Sequence, residues 1–261
     1  MMYFYAPLND VEREKLWIGK RAKLQAADYF IEELNETITT QKGWWFSAHE
    51  QWKYLLLPYT SSPLNKQVFL NGEKIRTWNS KVNKLPGMFA SVTSTIATND
   101  QQLNYFSDCG VQEVAFERVG RKEVVTPYST MSLFIADEGV AAAWYHNMIS
   151  GPAGQTMYGS IEALMTSGAE ISPMLTWDSK ITSVVGMMGG LQEIVGAKMH
   201  KHNILEPFLD KINYEWSLVF GNGTLQGENV GYALPEVGFP QPRDDFTTCR
   251  ETTISHEYFL L

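Results

Sequence analysis

The sequence predicts a mainly helical fold with small β additions, and three patterns support this prediction. Apolar residues recur at steps of three, four and seven between residues 11 and 39. An Ala-rich apolar run occupies residues 137–150, and another helical pattern begins at Thr176 or Asp178 and ends near His200. The segments between these patterns carry strand and turn signals, so we expect short hairpins beside the helices.

The N-terminal helices are predicted from their caps and breaks. Asn9-Asp10 can cap a first helix over residues 11–39, which Lys42-Gly43 ends. Ser47-Ala48-His49-Glu50 has the S-x-x-E form of a capping box. The helix that this box opens should stop at Pro58, because proline cannot continue a helix.

The segment from residue 60 to residue 125 reads as loop and short strands. Asn71-Gly72 separates two short apolar runs, which is a hairpin signal over residues 68–76. A loose alternation around Gly120 predicts a second hairpin over residues 113–125. This part of the chain is therefore expected to supply the β additions.

The C-terminal half returns to helical patterns. Thr126-Pro127 combines a cap with proline at the first helical position, and Gly151-Pro152 is expected to end the helix over residues 137–150. The remaining predictions are a short helix over 160–167, a long one over 176–200, another over 203–213, and a hairpin or ordered loop within 216–234. No repeat or linker divides the chain, so we expect a single domain over residues 1–261.

The composition indicates a globular protein and argues against nucleic-acid-binding and membrane-spanning classes. With 44% hydrophobic and 19% charged residues, the chain of 261 residues is typical of a soluble globular protein. A net charge of −8 argues against a broad phosphate-binding surface and therefore against nucleic acid as a partner. No apolar run is long enough for a membrane span. The N-terminus lacks a signal-peptide pattern, which predicts a cytoplasmic location unless a signal has been removed.

Cysteines and histidines give no sign of a metal or organic cofactor. Cys109 and Cys249 match no metal-ligand spacing, and either one disulfide or two free thiols is compatible with the sequence. His200 and His202 do not share a helix face, and no third ligand lies nearby. We therefore expect a protein that works without a cofactor.

The aromatic content points to saccharides. Aromatic residues make up 13% of the chain, including eight tryptophans. The C–H faces of a sugar pack on aromatic rings, while neighbouring carboxylates bind its hydroxyl groups or protonate its glycosidic oxygen. One segment combines these groups within nine residues: Trp44, Trp45, His49, Glu50 and Trp52. Its alternative interpretation is structural, with Glu50 completing the capping box and the tryptophans in the core.

A second candidate is Tyr158-Gly159-Ser160-Ile161-Glu162, which puts Glu162 just past a glycine-permitted turn beside the ring of Tyr158. A third is Trp177-Asp178, where Trp177 offers a sugar platform and Asp178 a partner carboxylate. For both acids the alternative is a structural role in the first turn of a helix. Glu113 and Glu117 are reserve candidates because they are two strand periods apart.

The segments Val125-Thr126-Pro127-Tyr128 and Tyr158-Gly159-Ser160-Ile161-Glu162-Ala163 resemble the glucoamylase-like family of carbohydrate-active proteins. The resemblance implies an (α/α) toroid with an acidic, aromatic cleft, and it carries over Tyr158 and Glu162 only. A complete toroid of that family is longer than this chain. The chain is therefore expected to form an incomplete toroid or to be a fragment of a longer protein.

Together these features predict hydrolysis of an oligo- or polysaccharide by paired carboxylates between aromatic subsites. One carboxyl must stay protonated and the other ionised for this chemistry. Glu162 and Asp178 are the first pair, and Glu50 is the alternate. Two rival functions remain, a saccharide-binding protein without catalysis and an assembly subunit that self-associates through its Trp and Met side chains.

Overall fold

The computed structural model describes residues 7–94, 104–172 and 174–240, and within them it is mainly helical. Eight α-helices lie in these ranges: α1 (Asp10–Arg21), α2 (Trp52–Leu56), α3 (Pro63–Val82), α4 (Leu133–Ala136), α5 (Glu138–Ile149), α6 (Trp177–Met187), α7 (Gln192–Lys201) and α8 (Leu205–Phe220). Short 3-10 helices cover Ala48–Gln51, Tyr59–Ser61, Gln112–Val114 and Pro127–Thr130.

The strands form four antiparallel pairs. The longest pair is β1 (Ala26–Ile31) with β2 (Glu36–Gln41), in which Ala26 faces Gln41 and Ile31 faces Glu36. The others are β3 (Val92–Ser94) with β4 (Asn104–Phe106), β5 (Val124–Val125) with β8 (Leu164–Met165), and β6 (Gln155–Thr156) with β7 (Gly159–Ser160). The β additions are therefore two-stranded and small.

The long first helix predicted over residues 11–39 is wrong in its second half. α1 begins as expected, with Asn9 and Glu12 forming a reciprocal capping box, but it ends at Arg21. Residues 26–41 form the β1–β2 hairpin instead, and Tyr29, Ile31, Ile38 and Thr40 are buried. Burial at alternate positions is the strand period, which the steps of three and four had obscured.

The hairpin predicted over residues 68–76 is also wrong, because α3 runs through it without a break. The Asn-Gly pair is used for packing. The amide of Asn71 donates to the carbonyls of Thr39 and Gln226, both at 2.8 Å. A Cβ on Gly72 would come within 2.8 Å of the amide nitrogen of the Gln51 side chain, so a larger residue here would require that side chain to shift.

Two further predictions between residues 112 and 167 are corrected. Residues 113–125 form no hairpin, since β5 pairs with the distant β8. Residues 160–167 form no helix, because the chain there is extended and bonded to a later segment: the amide of Ser172 donates to the carbonyl of Ala163, and the amide of Glu162 donates to the carbonyl of Met174. Several hydrogen bonds to distant segments therefore replace the local helix.

The C-terminal helices are largely as predicted. The side chain of Asp137 caps α5, and Pro127 begins a 3-10 helix after Thr126. The helix predicted over 176–200 is divided into α6 and α7 by Gly189 and Gly190, which have positive φ angles. α8 extends to Phe220, so the predicted hairpin at residue 216 does not begin there.

The buried side chains position the candidate site. α3 contributes Phe69 to a cluster with Tyr54 and Trp216, and it contributes Ile75 to a second cluster under the β1–β2 hairpin. A third cluster contains Leu55, Tyr128, Met131 and Ala163. The 3-10 helix Pro127–Thr130 packs against both α6 and the 3-10 helix Ala48–Gln51. Three segments that are distant in sequence therefore meet at Pro127–Thr130.

Candidate active site

Glu162 lies buried at the meeting of these segments, with 2% of its surface exposed. Its Oε2 accepts a hydrogen bond of 2.5 Å from the Thr176 hydroxyl, and its Oε1 accepts one of 3.4 Å from the amide of Thr93. Burial raises the pKa of Glu162, the hydrogen bonds from Thr176 and Ser179 lower it, and the nearby charge of Asp178 raises it. The net direction is upward, which favours a protonated carboxyl.

Asp178 lies beside this carboxyl but in a different environment. It is in the first turn of α6, it is exposed, and its Oδ1 accepts from the amide of Ser179 at 2.9 Å. The ammonium of Lys180 donates to the carbonyl of Ser160, and burial lowers the pKa of Lys180 while Glu162 and Asp178 raise it. The two acids of the predicted pair are therefore neighbours, one buried and one in contact with solvent.

His49 and Tyr128 form a hydrogen-bonded group on the same side. Nδ1 of His49 accepts from the amide of Ser91 at 3.0 Å, and its Nε2 lies 3.4 Å from the Tyr128 hydroxyl, which itself donates to the carbonyl of Ser91. These partners require a neutral imidazole with its proton on Nε2. Burial, the largest effect, lowers the pKa of His49, in agreement with the neutral form.

Aromatic surfaces flank these groups. The ring of Trp52 stacks on His49 with centroids 5.2 Å apart. Trp177 is 78% exposed and Tyr158 is 62% exposed, so both rings are open to a ligand. Rings of this kind can stack against the C–H faces of a sugar.

Glu50, Trp44 and Trp45 lie in a separate environment. The carboxylate of Glu50 accepts from the amides of Trp45, Phe46 and Ser47 at 2.8–3.0 Å and completes the predicted capping box. The ring of Trp44 lies edge-on to Trp45 and 4.3 Å below the ammonium of Lys23. The oxygens of Glu50 are thus engaged by the backbone, as the structural interpretation of this segment requires.

The structure describes the surroundings of two further candidates, Glu113 and Cys109. Glu113 lies in a 3-10 helix rather than a strand, so the two-residue period proposed for Glu113 and Glu117 does not apply. Cys109 is buried and its thiol donates to the carbonyl of Ala90, while Cys249 lies outside the described residues.

Within residues 7–94, 104–172 and 174–240, no cluster of three His, Cys, Asp or Glu side chains could hold a metal. Over the same ranges, no helix is long and apolar enough to span a membrane.

Sequence reasoning did not identify Tyr128, Thr176, Ser91 and Thr93 as parts of the site. In sequence, Tyr128 indicates a helix start and part of the motif that resembles the glucoamylase-like family, and Thr176 indicates the start of a helix. A position that precedes a helix and lies next to an acid is a usable signal for Thr176, whose hydroxyl bonds the Ser179 hydroxyl and Glu162 and makes no capping bond to the helix backbone. No local pattern indicates Ser91 or Thr93, which reach the site through their backbone amides.

A family model described as endo-beta-1,2-glucanase SGL matches residues 1–250 of this chain. The chain belongs to the endo-beta-1,2-glucanase SGL family. The predicted resemblance to a glucoamylase-like family was therefore correct in pointing to glycoside hydrolases and wrong in the family it named. A search of curated proteins found no match.

Two solved structures are similar to this SGL-family chain. One is endo-beta-1,2-glucanase from Talaromyces funiculosus in complex with sophorose, and the other is a glutamate-to-glutamine mutant of that enzyme with beta-1,2-glucan. Each is 39% identical, with TM-scores of 0.85 and 0.86. Both matches cover 92% of this chain and 48% of the other, so the chain spans about half the length of these structures. The predicted mainly helical, toroid-type fold class with small β additions is confirmed.

Proposed function

We propose that this chain carries the proton-donating part of an endo-acting β-1,2-glucanase site, with Glu162 as the general acid. The observation that carries the proposal is the environment of Glu162, a buried carboxyl whose pKa is raised. A general acid must hold its proton at the pH at which the enzyme works, and burial in low-dielectric surroundings shifts the pKa of a carboxyl in that direction. Membership of a glycoside hydrolase family gives the reaction class.

In the proposed reaction, Glu162 gives its proton to the glycosidic oxygen while the bond from that oxygen to the anomeric carbon breaks. Positive charge develops on the sugar ring, and water attacks the anomeric carbon. Asp178 is the proposed second carboxylate. Its exposure gives it access to water, and its ionised form can accept the proton that the attacking water loses.

Aromatic side chains provide the proposed subsites. Trp177 and Tyr158 expose broad ring faces, and Trp52 presents its ring beside His49. The proposed contacts with the bound glucan also include Trp44, Trp45 and His49. A β-1,2-linked glucan presents the C–H face of each glucose unit to such rings, and stacking does not compete with hydrogen bonding of the hydroxyl groups.

The test of this proposal uses the chain itself with linear β-1,2-glucan, and with β-1,3- and β-1,4-glucans as linkage controls. We expect reducing ends to appear only from β-1,2-glucan, with oligosaccharides of several lengths as the early products of endo cleavage. Glu162→Gln should lower kcat by roughly 10²- to 10⁴-fold while the affinity for glucan is kept. Glu206→Gln, at an exposed acid of α8, is the matched control.

Two outcomes would contradict the proposal. Unchanged turnover by Glu162→Gln would remove this residue from the reaction. Glucan binding by the wild-type chain without any release of reducing ends would favour the rival function, a saccharide-binding protein without catalysis.

A further inference from the structure

A pocket of about 220 Å³ lies between the end of α1, strand β2 and helix α2. Four lysines line it: Lys20, Lys23, Lys42 and Lys53. Within the part of the chain that the structure describes, none of these four ammonium groups forms an ion pair with a carboxylate. Like charges that converge without counter-charges repel one another, so this arrangement needs an explanation.

The carboxylate that lines the pocket forms no ion pair with these lysines among the described residues. Glu50 is the single acid among the lining residues. Its oxygens already accept hydrogen bonds from the amides of Trp45, Phe46 and Ser47. The pocket therefore has a formal excess of positive charge, in a chain whose overall charge is −8.

Three of the lysines, Lys23, Lys42 and Lys53, contact neutral groups instead. Nζ of Lys53 donates to the Gln41 side chain at 2.6 Å and lies 4.8 Å from the Tyr54 ring centroid. Nζ of Lys42 lies 5.0 Å from the Phe116 ring centroid. Cation–π contacts hold an ammonium in place but carry no formal negative charge. Burial lowers the pKa of Lys53 well below its ordinary value, the charge of Lys20 lowers it further, and the charge of Glu50 raises it.

We propose that this pocket binds a small oxyanion, a phosphate or sulfate group that is either free or esterified to a sugar. Lysines act as point charges toward such groups and need no fixed fork geometry. The volume corresponds to about seven water molecules, which is enough for a tetrahedral oxyanion with part of its hydration shell. The half-exposed ring of Trp44 at the pocket gives a sugar attached to the anion a surface to stack on.

Isothermal titration calorimetry of the full chain with inorganic phosphate, sulfate, glucose 6-phosphate and glucose, at constant ionic strength in chloride, tests this site. We expect one phosphate or sulfate per chain and no binding of glucose under the same conditions. The double variant Lys20→Gln/Lys23→Gln, at two exposed positions, should weaken oxyanion binding by roughly tenfold or more. Lys15→Gln, an exposed lysine of α1 outside the pocket, should leave it unchanged.

Comparing the affinities for inorganic phosphate and glucose 6-phosphate shows whether the site binds a free anion or a sugar ester. Equal affinities for phosphate and glucose 6-phosphate assign the site to a free anion, and tighter binding of glucose 6-phosphate that is lost in Trp44→Ala assigns it to a sugar ester. The proposal is overturned if no oxyanion binds, or if the double variant and Lys15→Gln bind alike. These measurements require no turnover, so they stand or fail independently of the proposed glucanase activity.

Discussion

The carboxyl of Glu162 is under opposing influences that substitutions can separate. Burial and the charge of Asp178 raise its pKa, while the hydrogen bond from the Thr176 hydroxyl lowers it by stabilising the ionised form. Thr176→Val removes that hydrogen bond and should raise the pKa further. If the protonated form is the active one, the alkaline limb of the kcat/KM profile on β-1,2-glucan moves to higher pH.

Two further variants test this prediction: Thr182→Val is a matched control, and Asp178→Asn should move the alkaline limb in the opposite direction. Thr182→Val loses a hydroxyl on the same helix that bonds the Asp178 carbonyl, and it should leave the limb in place. Asp178→Asn removes a negative charge that raises the pKa of Glu162, so whatever activity remains should show the limb at lower pH. Equal profiles for wild type and Thr176→Val would mean that Glu162 does not set the limb.

At the level of elements, a substitution of Glu50 distinguishes a structural role of this acid from a catalytic one. Its carboxylate holds three backbone amides at the start of the 3-10 helix Ala48–Gln51. Glu50→Ala should reduce the free energy of unfolding by about 1–3 kcal/mol, because buried donors lose their acceptor. Denaturant unfolding measures this loss. Activity per folded molecule should fall far less than in Glu162→Gln, and an equal fall would restore Glu50 as a catalytic candidate.

Helix α3 contains the most buried ion pair that the structure describes. Arg76 donates to both oxygens of Glu73, and the hydroxyl of Ser132 donates to one of them. The Glu73 side chain is fully buried and that of Arg76 is 3% exposed. Arg76→Met leaves a buried carboxyl without its partner and should cost about 3–5 kcal/mol in denaturant unfolding.

The surface pair of Lys81 and Glu33 provides the comparison for α3. Their atoms lie 2.9 Å apart, but Glu33 is about half exposed. Glu33→Gln should change the unfolding free energy by less than about 1 kcal/mol. Similar costs for Arg76→Met and Glu33→Gln would show that burial does not set the value of these pairs.

Elements were predictable where the signal was local. The caps at Asn9 and Ser47 form as their sequences indicate, because a cap depends on residues within one turn, whereas the cap predicted at Thr126 makes no side-chain hydrogen bond to its 3-10 helix. The failures involve distant partners. Gly72 and Asn71 read as a turn, yet their use is contact with Gln51, Thr39 and Gln226, which no local pattern reveals.

At the scale of the whole molecule, the candidate site also combines features that depend on local sequence with features that depend on distant segments. Glu162 could be selected because a glycine turn and an aromatic ring precede it in sequence. Its environment could not be predicted, since that depends on Thr93 and Thr176 from other segments. Glu162 is brought toward Asp178 by two backbone hydrogen bonds, from Glu162 to Met174 and from Ser172 to Ala163, in a segment where the local pattern predicted a helix.

A network of charged side chains connects helix α1 with helix α8. Arg21 at the end of α1 donates to both oxygens of Glu215 in α8, at 2.8 and 2.7 Å. Lys211 lies 2.9 Å from the same carboxylate, and Glu14 accepts from Arg21. The hydrogen bond from Arg21 is the largest effect on Glu215, and together these groups lower the pKa of Glu215 to about 2.

This network predicts how the whole molecule responds to acid. A carboxyl whose pKa is lower in the folded state stabilises the fold above its unfolded pKa, and that contribution is lost as pH falls from about 4.5 toward 2. It amounts to at most roughly 3 kcal/mol, less the solvent screening at half-exposed Arg21. Glu215→Gln should therefore be less stable than wild type at pH 6 and should lose less stability on acidification in denaturant unfolding. Glu206→Gln, an exposed acid of the same helix, should follow the wild-type curve. Parallel curves for wild type and Glu215→Gln would mean that this carboxylate does not link α1 to α8 energetically.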